Sequence, residues 1–321
     1  MGKICENGTC REQFRTMIGG QALIEGIMMR GPEKQSIVVR KQDGTLEEKV
    51  ETLHPLKEKS AVFGWPLIRG VINFFDSMIN GVKALTYSAE FFPEDDPNAE
   101  PDKLDRWLEA HFKEGTLEKL IVPVGVVLGV AFSVGLFILV PAILMELLSG
   151  VITSYVIRNI LEGFLRIGIF LGYLALISKM PDMKRVFSYH GAEHKSIRCY
   201  EARLPLTVEN VRKMTRFHPR CGTSFLFVVM VISILVFTVI RVTNPLLRVV
   251  CRLALLPVVV AISYEINRFV GRHDNAFTRF LTMPGLWFQN FTTQEPDDSM
   301  IETAIRALEL VLPEQEGSDK W

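Results

Sequence analysis

Four long stretches with few or no charges constrain this chain more than any other feature of its sequence. The first runs from Leu120 to Leu148 with Glu146 as its single charged residue, and it exceeds the roughly 20 residues that a membrane helix needs. The others run from about Ile157 to Ser178, from Ser224 to Ile240, and from about Pro245 to Ile266. Such runs are uncommon in soluble helices, so the sequence predicts four transmembrane helices rather than a buried soluble core.

The charges of the chain are segregated along it, because mean hydropathy is +0.22 although 22% of the residues are charged. Some charges nevertheless fall inside the second stretch. Arg158, Glu162 and Arg166 follow one another at intervals of four residues, which predicts an intrahelical ion ladder. The net charge is zero, which argues against a nucleic-acid-binding protein.

The connection between the second and third spans indicates the orientation. From Lys179 to Arg220 it carries ten basic and four acidic residues, whereas the connections on the opposite side are short. An excess of Lys and Arg marks the cytoplasmic side. The sequence therefore predicts a multi-pass protein of the cell membrane, in contact with the lipid bilayer and with both termini in the cytoplasm. Its five cysteines are expected as thiols or metal ligands.

The predicted fold class is a mainly α membrane protein with about four transmembrane helices, an N-terminal α+β cytoplasmic region, and a cytoplasmic loop between spans two and three. The chain divides into an N-terminal cytoplasmic region, the first transmembrane pair, the basic loop, the second transmembrane pair and a cytoplasmic tail, which are residues 1–118, 119–178, 179–222, 223–267 and 268–321.

Three local patterns lie in the polar regions. Residues Gln35 to Leu53 alternate around Asp43-Gly44, which predicts a β-hairpin. Apolar residues recur at helical spacing from Phe63 to Ala89, which predicts an amphipathic helix that lies in the bilayer interface or covers a sheet. A similar stripe from Met300 to Leu312 predicts a solvated docking helix.

The chemistry of the chain concentrates in the basic loop. His190 and His194 are four residues apart, which places both on one face of a helix and suits them to bind one metal ion. With Glu193 they form H-x-x-E-H, the inverted form of a zinc-protease signature. In such sites the histidines bind zinc and the glutamate acts as a general base.

His218 and Cys221 follow before the third span, and with the two histidines they would complete a tetrahedral zinc site. Four protein ligands make a closed, structural site, so catalysis requires that one of them be absent. Cys199 and Glu201 are alternative ligands. The opposing interpretation has no metal at all, with loop histidines that contact lipid phosphates and Cys221 packed as a small apolar residue.

Several longer motifs resemble one family. The segment GGQALIEGIMMRGP, from Gly19 to Pro32, and later PLIRGVINFFDSM, YHGAEHKSIRCYE, HPRCGTSF, LPVVVAISYE and PGLWFQNFTTQEPDD occur in this order. The chain resembles the YqhQ family of uncharacterised bacterial multi-pass membrane proteins, described as predicted metal-dependent enzymes. The resemblance implies an inner-membrane protein and supports a metal at the HGAEH segment. It implies no substrate, reaction or partner.

The glycine-rich segment from Gly19 to Pro32 favours a turn-rich backbone that approaches another part of the chain closely. We hypothesise that it packs over the HGAEH helix and contributes Glu25 or Arg30 to a shared site. A purely structural turn is the alternative.

Two functions fit these observations. The first is a metal-dependent hydrolase of a peptide or lipid-linked substrate, with Glu193 as the base and Arg198 or Arg220 as a stabiliser of negative charge. The second is a non-enzymatic membrane scaffold that recruits a cytoplasmic protein partner and binds a structural metal or none.

Overall fold

The N-terminal part of the chain forms two antiparallel β-structures. The computed structural model describes residues 3–6, 9–12, 14–53, 61–92, 116–239, 242, 244–273, 275–315 and 317–320. Strands β1 (Lys3–Glu6) and β2 (Thr9–Glu12) pair with each other, and a four-stranded sheet follows in the order β3 (Gly19–Leu23), β4 (Gly26–Arg30), β5 (Lys34–Arg40) and β6 (Leu46–Thr52). Every neighbouring pair is antiparallel, as expected of strands that short turns connect.

The hairpin predicted from Gln35 to Leu53 is confirmed as β5 and β6. Gly44 in its turn has a φ of 83°, a left-handed conformation that glycine adopts without steric cost. The Asp43 carboxylate accepts a hydrogen bond of 2.9 Å from the Thr45 N–H, which closes the turn.

The rest of the described chain is largely helical. Its helices are α1 (Ile68–Ala89), α2 (Thr116–Val134), α3 (Val140–Leu147), α4 (Tyr155–Ile177), α5 (Pro181–Glu201), α6 (Val208–Arg212), α7 (Gly222–Val239), α8 (Pro245–Arg272), α9 (Ala276–Thr292) and α10 (Asp298–Glu309). A π-helical segment, Gly135–Leu139, joins α2 to α3. The predicted fold class, mainly α with a small N-terminal sheet, is confirmed.

Four helices are long and apolar enough to cross a membrane: Pro123–Leu147, Tyr155–Ile177, Gly222–Val239 and Leu247–Arg272. They match the four stretches predicted from the sequence, although the last continues past Ile266. Their outer faces are apolar, and the side chains of Val127, Leu128 and Phe132 are 66%, 63% and 61% exposed. Apolar faces of this extent call for an apolar surrounding, so the four helices indicate membrane insertion.

Charged residues of the second and fourth spans meet inside the helical bundle. Glu162 of α4 binds Arg252 of α8 through both carboxylate oxygens, and it accepts a bond of 3.2 Å from Arg166. The ion ladder predicted along α4 is therefore confirmed only between Glu162 and Arg166. Arg158 instead lies 4.0 Å from Glu146 of α3. Contacts between helices, rather than spacing along one helix, thus decide the pairing.

The π-helical segment contributes to the same cluster. A π-helical turn departs from the regular α-helical bonding ladder, and here the carbonyl of Phe137 accepts a bond of 2.8 Å from Arg166 Nε. The Phe237 ring lies 5.5 Å from the guanidinium of Arg166 and 5.6 Å from that of Arg252. The buried side chains of Arg166 and Arg252 thus contact a carboxylate, a carbonyl oxygen and an aromatic ring within the bundle.

The extramembrane core is built around α10. Met300, Ala304 and Leu308 are buried between α5 and the sheet, and the Ser36 hydroxyl of β5 donates to the Ala307 carbonyl at 2.7 Å. The predicted docking helix is confirmed, but it is not solvated, because its apolar stripe is the surface through which α10 contacts two other elements. One hydrophobic core unites parts of the regions 1–118, 179–222 and 268–321.

Helix α1 connects the sheet to the membrane helices. Ala84 near its end packs with buried side chains of β3 to β5, and Gly70 near its start lies against Tyr264 of α8. The predicted amphipathic helix is confirmed, and it covers the sheet. Its outer side leaves Phe75 and Ile79 exposed, which also suits a position in the bilayer interface.

The buried charge cluster yields a stability prediction. We expect Glu162→Gln to lower the free energy of unfolding by about 3–5 kcal/mol, because it leaves two buried guanidinium groups without their carboxylate. Glu302→Gln is the matched control, since its side chain is 56% exposed and should contribute less than about 1 kcal/mol. Denaturation in mixed micelles measures both variants. Equal losses would contradict the role of Glu162 as the central counter-ion.

Candidate metal centre

Helix α5 carries both histidines of the H-x-x-E-H pattern on one face. Pro181 occupies its first turn, where a missing N–H is tolerated, and Met180 before it is extended. The helix continues past His190 and His194, whose ring centroids are 4.4 Å apart. The helical placement predicted for this pair is confirmed.

Cys221 meets the two histidines from the connection that precedes α7. Its Sγ lies 3.1 Å from His190 Nε2, and one ligand atom from each of His190, His194 and Cys221 lies within 4.8 Å of the others. Two imidazoles and a thiolate are side chains that bind zinc and related ions. These three residues could hold a metal ion, and we call them the His/Cys cluster.

Backbone carbonyls orient both imidazole rings. The Nδ1 atom of His190 lies 2.7 Å from the Thr292 carbonyl oxygen, and Nδ1 of His194 lies 2.6 Å from that of Arg216. Because a carbonyl oxygen only accepts, each ring donates from Nδ1, so Nε2 is the nitrogen that could bind a metal. This is the arrangement of metal-binding histidines, in which the second nitrogen is held by the protein.

The electrostatic state of the cluster also suits metal binding. Burial lowers the pKa of His194 to about 4, so its ring is neutral at pH 7. Burial by itself would raise the pKa of Cys221, but His194 and the hydrogen bonds from Thr223 outweigh it, and the pKa falls below its ordinary value. The lowered pKa values favour the neutral imidazole of His194 and the thiolate of Cys221, and these are the forms that bind metals.

Glu193 lies beside the cluster and is buried. Its Oε1 accepts a bond of 2.9 Å from the Gly20 N–H of β3, whereas Oε2 is buried with no hydrogen-bond partner within the described chain. Burial raises the pKa of Glu193 to about 7, against smaller opposing effects of His190 and Gly20. A Cβ atom on Gly20 would lie 2.6 Å from the Met28 carbonyl oxygen, so the close approach of β3 to β4 at this position requires glycine.

His218, the predicted fourth ligand, lies next to the cluster and faces a different partner. Its ring centroid is 5.6 Å from that of His194, and its Nε2 is 3.5 Å from Glu201 Oε2. Burial would raise the pKa of Glu201, but the hydrogen bond to His218 and the charge of Arg220 lower it, so this carboxylate is charged. The structure therefore groups Glu201, His218 and Arg220 beside the His/Cys cluster.

Two further residues singled out from the sequence lie away from the cluster's ligand atoms. The thiol of Cys199 faces the carbonyl oxygens of Leu204 and Pro205, at 3.9 and 3.5 Å. Arg198 donates from Nε to the Phe217 carbonyl at 2.6 Å and so supports the segment that leads to His218.

The segment from Gly19 to Pro32 packs over α5, as predicted, in the form of β3 and β4. The hypothesis that Glu25 or Arg30 reaches the site is wrong. Glu25 pairs with Arg185 in an earlier turn of α5, and Arg30 pairs with Asp76 of α1 at 2.7 Å. The backbone N–H of Gly20 is what this segment contributes.

The end of α9 supports the site in a way that the sequence did not indicate. The amide of Gln289 donates to the His218 carbonyl at 2.7 Å, and its oxygen accepts from the His218 N–H at 2.8 Å. Thr292, one turn later, supplies the carbonyl that orients His190. The sequence does carry one signal that points to this support, because the mostly polar run QNFTTQ ends a mostly apolar helix.

A cavity of about 360 Å³ gives access to these groups. It lies between β3 and α5, and Gly20, Glu193, His194 and Cys221 line it. Its wall extends to Leu226 in the first turn of α7, a candidate membrane span. The His/Cys cluster therefore faces a cavity beside the start of α7, a candidate membrane span.

The fold and the site define a helical protein with four apolar, membrane-length helices and a buried His/Cys cluster outside them. The chain belongs to the family described as "Protein of unknown function (DUF1385)", whose model matches residues 65–314. It is similar to "Uncharacterized protein YqhQ" of Bacillus subtilis (strain 168), with 37% identity over 299 residues that cover 92% of each chain. The family resemblance drawn from the motifs is thus confirmed. No solved structure matches the chain.

The support from α9 yields a testable prediction. Gln289→Leu leaves the N–H and C=O of His218 buried and unpaired, so we expect the free energy of unfolding to fall by about 2–4 kcal/mol. Asn290→Leu is the matched control, since that exposed side chain bonds the Trp287 carbonyl of its own helix. Denaturation of the detergent-solubilised protein compares the two. A loss of the same size in the control would argue against the supporting role of Gln289.

Proposed function

We propose that this protein binds zinc at the His/Cys cluster on the cytoplasmic side of the cell membrane and acts as a metal-dependent hydrolase. The observation that carries the proposal is His194 Nε2, which is buried and has no hydrogen-bond partner in the described part of the chain. An unpaired buried nitrogen is costly, and a metal ion shared with His190 and Cys221 would bind its lone pair.

The donor set favours zinc. Imidazole and thiolate groups suit zinc, whereas magnesium and calcium prefer oxygen ligands. Three protein ligands leave a fourth position for water, which is the arrangement of catalytic zinc sites. The contact of His218 with Glu201 supports this open arrangement over the closed site that His218 would complete.

The residues around the cluster support hydrolysis. Zinc, when bound, acts as a Lewis acid and lowers the pKa of a water molecule. Glu193 is the proton acceptor, because the Gly20 N–H holds one carboxylate oxygen and leaves the other available. Arg220 lines the same cavity and provides positive charge near a developing anion. The proposed substrate is a peptide or a lipid-linked molecule, which would reach the site through the cavity beside α7.

The charge distribution supports the cytoplasmic assignment. Residues 179–220 carry ten basic and four acidic side chains, and an excess of Lys and Arg marks the cytoplasmic side of a membrane. The four spans then place both termini on that side as well.

Three variants, compared with the wild type as purified proteins and in cells, test the proposal against the scaffold function. We expect the wild type to hold one zinc ion per chain and His194→Ala to lose it, while His273→Ala, an exposed histidine, retains it. Glu193→Gln should keep the metal and the fold, because glutamine can still accept from Gly20, but it should fail to complement a strain that lacks the protein. Elemental analysis, thermal unfolding and growth are the three measurements.

The outcomes separate the two functions. Full complementation by Glu193→Gln would contradict hydrolysis and leave a scaffold that recruits a cytoplasmic partner. A wild-type protein without stoichiometric metal after gentle purification would contradict the metal site itself.

A further inference from the structure

Strand β3 forms one edge of the four-stranded sheet and borders the cavity of the His/Cys cluster. In the described sheet it pairs with β4 alone, and its residues 19–22 line the cavity of about 360 Å³. Residues of α5 between Val186 and Ile197 line the same cavity, and they include both histidines of the cluster. An edge strand presents backbone groups to which a second chain can bind.

The hydrogen bonds of β3 show which of its backbone groups point away from β4. In an antiparallel pair, the N–H and C=O of one residue point to the same side, and successive residues alternate. The N–H of Gly20 donates to Glu193 Oε1 at 2.9 Å, and the N–H of Ile24 donates to Ser88 Oγ at 3.3 Å. Ala22 lies between them in the same alternation, so its N–H and C=O also point away from β4.

The backbone at the start of β3 is open, and the general base lies beside it. Gly20 is exposed, and a Cβ atom on Gly19 would meet no atom of the described chain within 4 Å. From Ala22, the next residue that points away from β4 is Gly20, about 7 Å along the strand. There Glu193 occupies the N–H. A chain paired with Ala22 would therefore reach the general base two residues further on.

We propose that the substrate is a peptide in an extended conformation, which pairs its backbone with Ala22 at the edge of β3 and so brings a peptide bond beside Glu193. A chain added to a sheet edge is held by main-chain hydrogen bonds. An acyl chain has no N–H or C=O groups with which to pair, so this edge favours a peptide over a lipid-linked substrate. The inference rests on the proposed hydrolase and names its substrate class.

The reaction is then the hydrolysis of an amide. The oxygen of a water molecule forms the new bond to the carbonyl carbon, and the C–N bond breaks. Glu193 accepts a proton from the water and transfers it to the leaving nitrogen, which gives a carboxylate and an amine.

Hydroxamates with different backbones test this pairing in the purified full chain loaded with zinc, because a hydroxamate group binds zinc by itself. Acetohydroxamate is the reference. Tri-alanine hydroxamate adds a peptide backbone, its N-methylated form lacks the amide N–H groups, and octanohydroxamate adds an acyl chain. We expect tri-alanine hydroxamate to bind about tenfold more tightly than acetohydroxamate in isothermal titration calorimetry, and N-methylation to remove this gain.

A proline substitution tests the same pairing from the side of the protein. Ala22→Pro removes the N–H that the peptide would use, and an edge strand tolerates proline where the N–H points outward. Val50→Pro is the matched control in β6, the other edge strand. The Leu53 N–H donates to the Glu33 carbonyl, so by alternation the N–H of Val50 points away from β5. We expect both variants to keep zinc and to bind acetohydroxamate as the wild type does, while Ala22→Pro alone binds tri-alanine hydroxamate about tenfold more weakly.

The outcomes separate this inference from the proposed function. A protein that binds zinc and acetohydroxamate but gains nothing from the peptide backbone would overturn the strand pairing and leave the metal site intact. Absence of zinc would overturn the metal site, and with it the pairing. Equal affinity for octanohydroxamate and tri-alanine hydroxamate would overturn the preference for a peptide. The N-methylated ligand is tested on the wild type, so it decides the matter even if thermal unfolding shows that Ala22→Pro does not fold.

Discussion

The enclosure of helix α5 is the constraint on which the rest of the structure depends. Its residues Glu193, His194, Lys195 and Ser196 are polar, yet each is 5% exposed or less because β3, β4 and α10 cover the helix. Buried polar groups need partners. The N–H of Gly20 and the carbonyl of Arg216 supply two of them, and these bonds fix β3 and the segment before α7 around the site.

The same bonds connect the hydrophobic core around α10 to α7, a candidate membrane span, and to α9. Cys221 directly precedes α7, and Thr292, which orients His190, ends α9. Gly285 of α9 lies against Ser224 of α7 with no room for a Cβ atom, so these two helices are held together closely. A shift of either helix would therefore move ligand atoms of the His/Cys cluster. This arrangement couples the geometry of the site to the packing of α7 and α9.

Features that depend on neighbouring residues were predictable from the sequence. Long stretches with few or no charges locate the four apolar helices, Asp43-Gly44 locates the hairpin, and the spacing of His190 and His194 places them on one helical face. Most contacts between distant segments were not predictable, although the approach of Gly19–Pro32 to α5 and of Cys221 to the two histidines was predicted. Arg252 pairs with Glu162 across 90 positions, and α10 appears amphipathic and solvated until α5 and the sheet cover it. For the same reason, the polar run that contains Gln289 did not by itself reveal that Gln289 supports His218.

The central claim is that two imidazoles and one thiolate bind zinc and leave one position open to water. X-ray absorption at the zinc edge of the purified protein tests it most directly, because the spectrum reports the number and type of ligand atoms. We predict one sulfur at about 2.3 Å and three lighter atoms, two of them imidazole nitrogens, at about 2.0–2.1 Å. A shell without sulfur, or one with three imidazoles, would contradict this account.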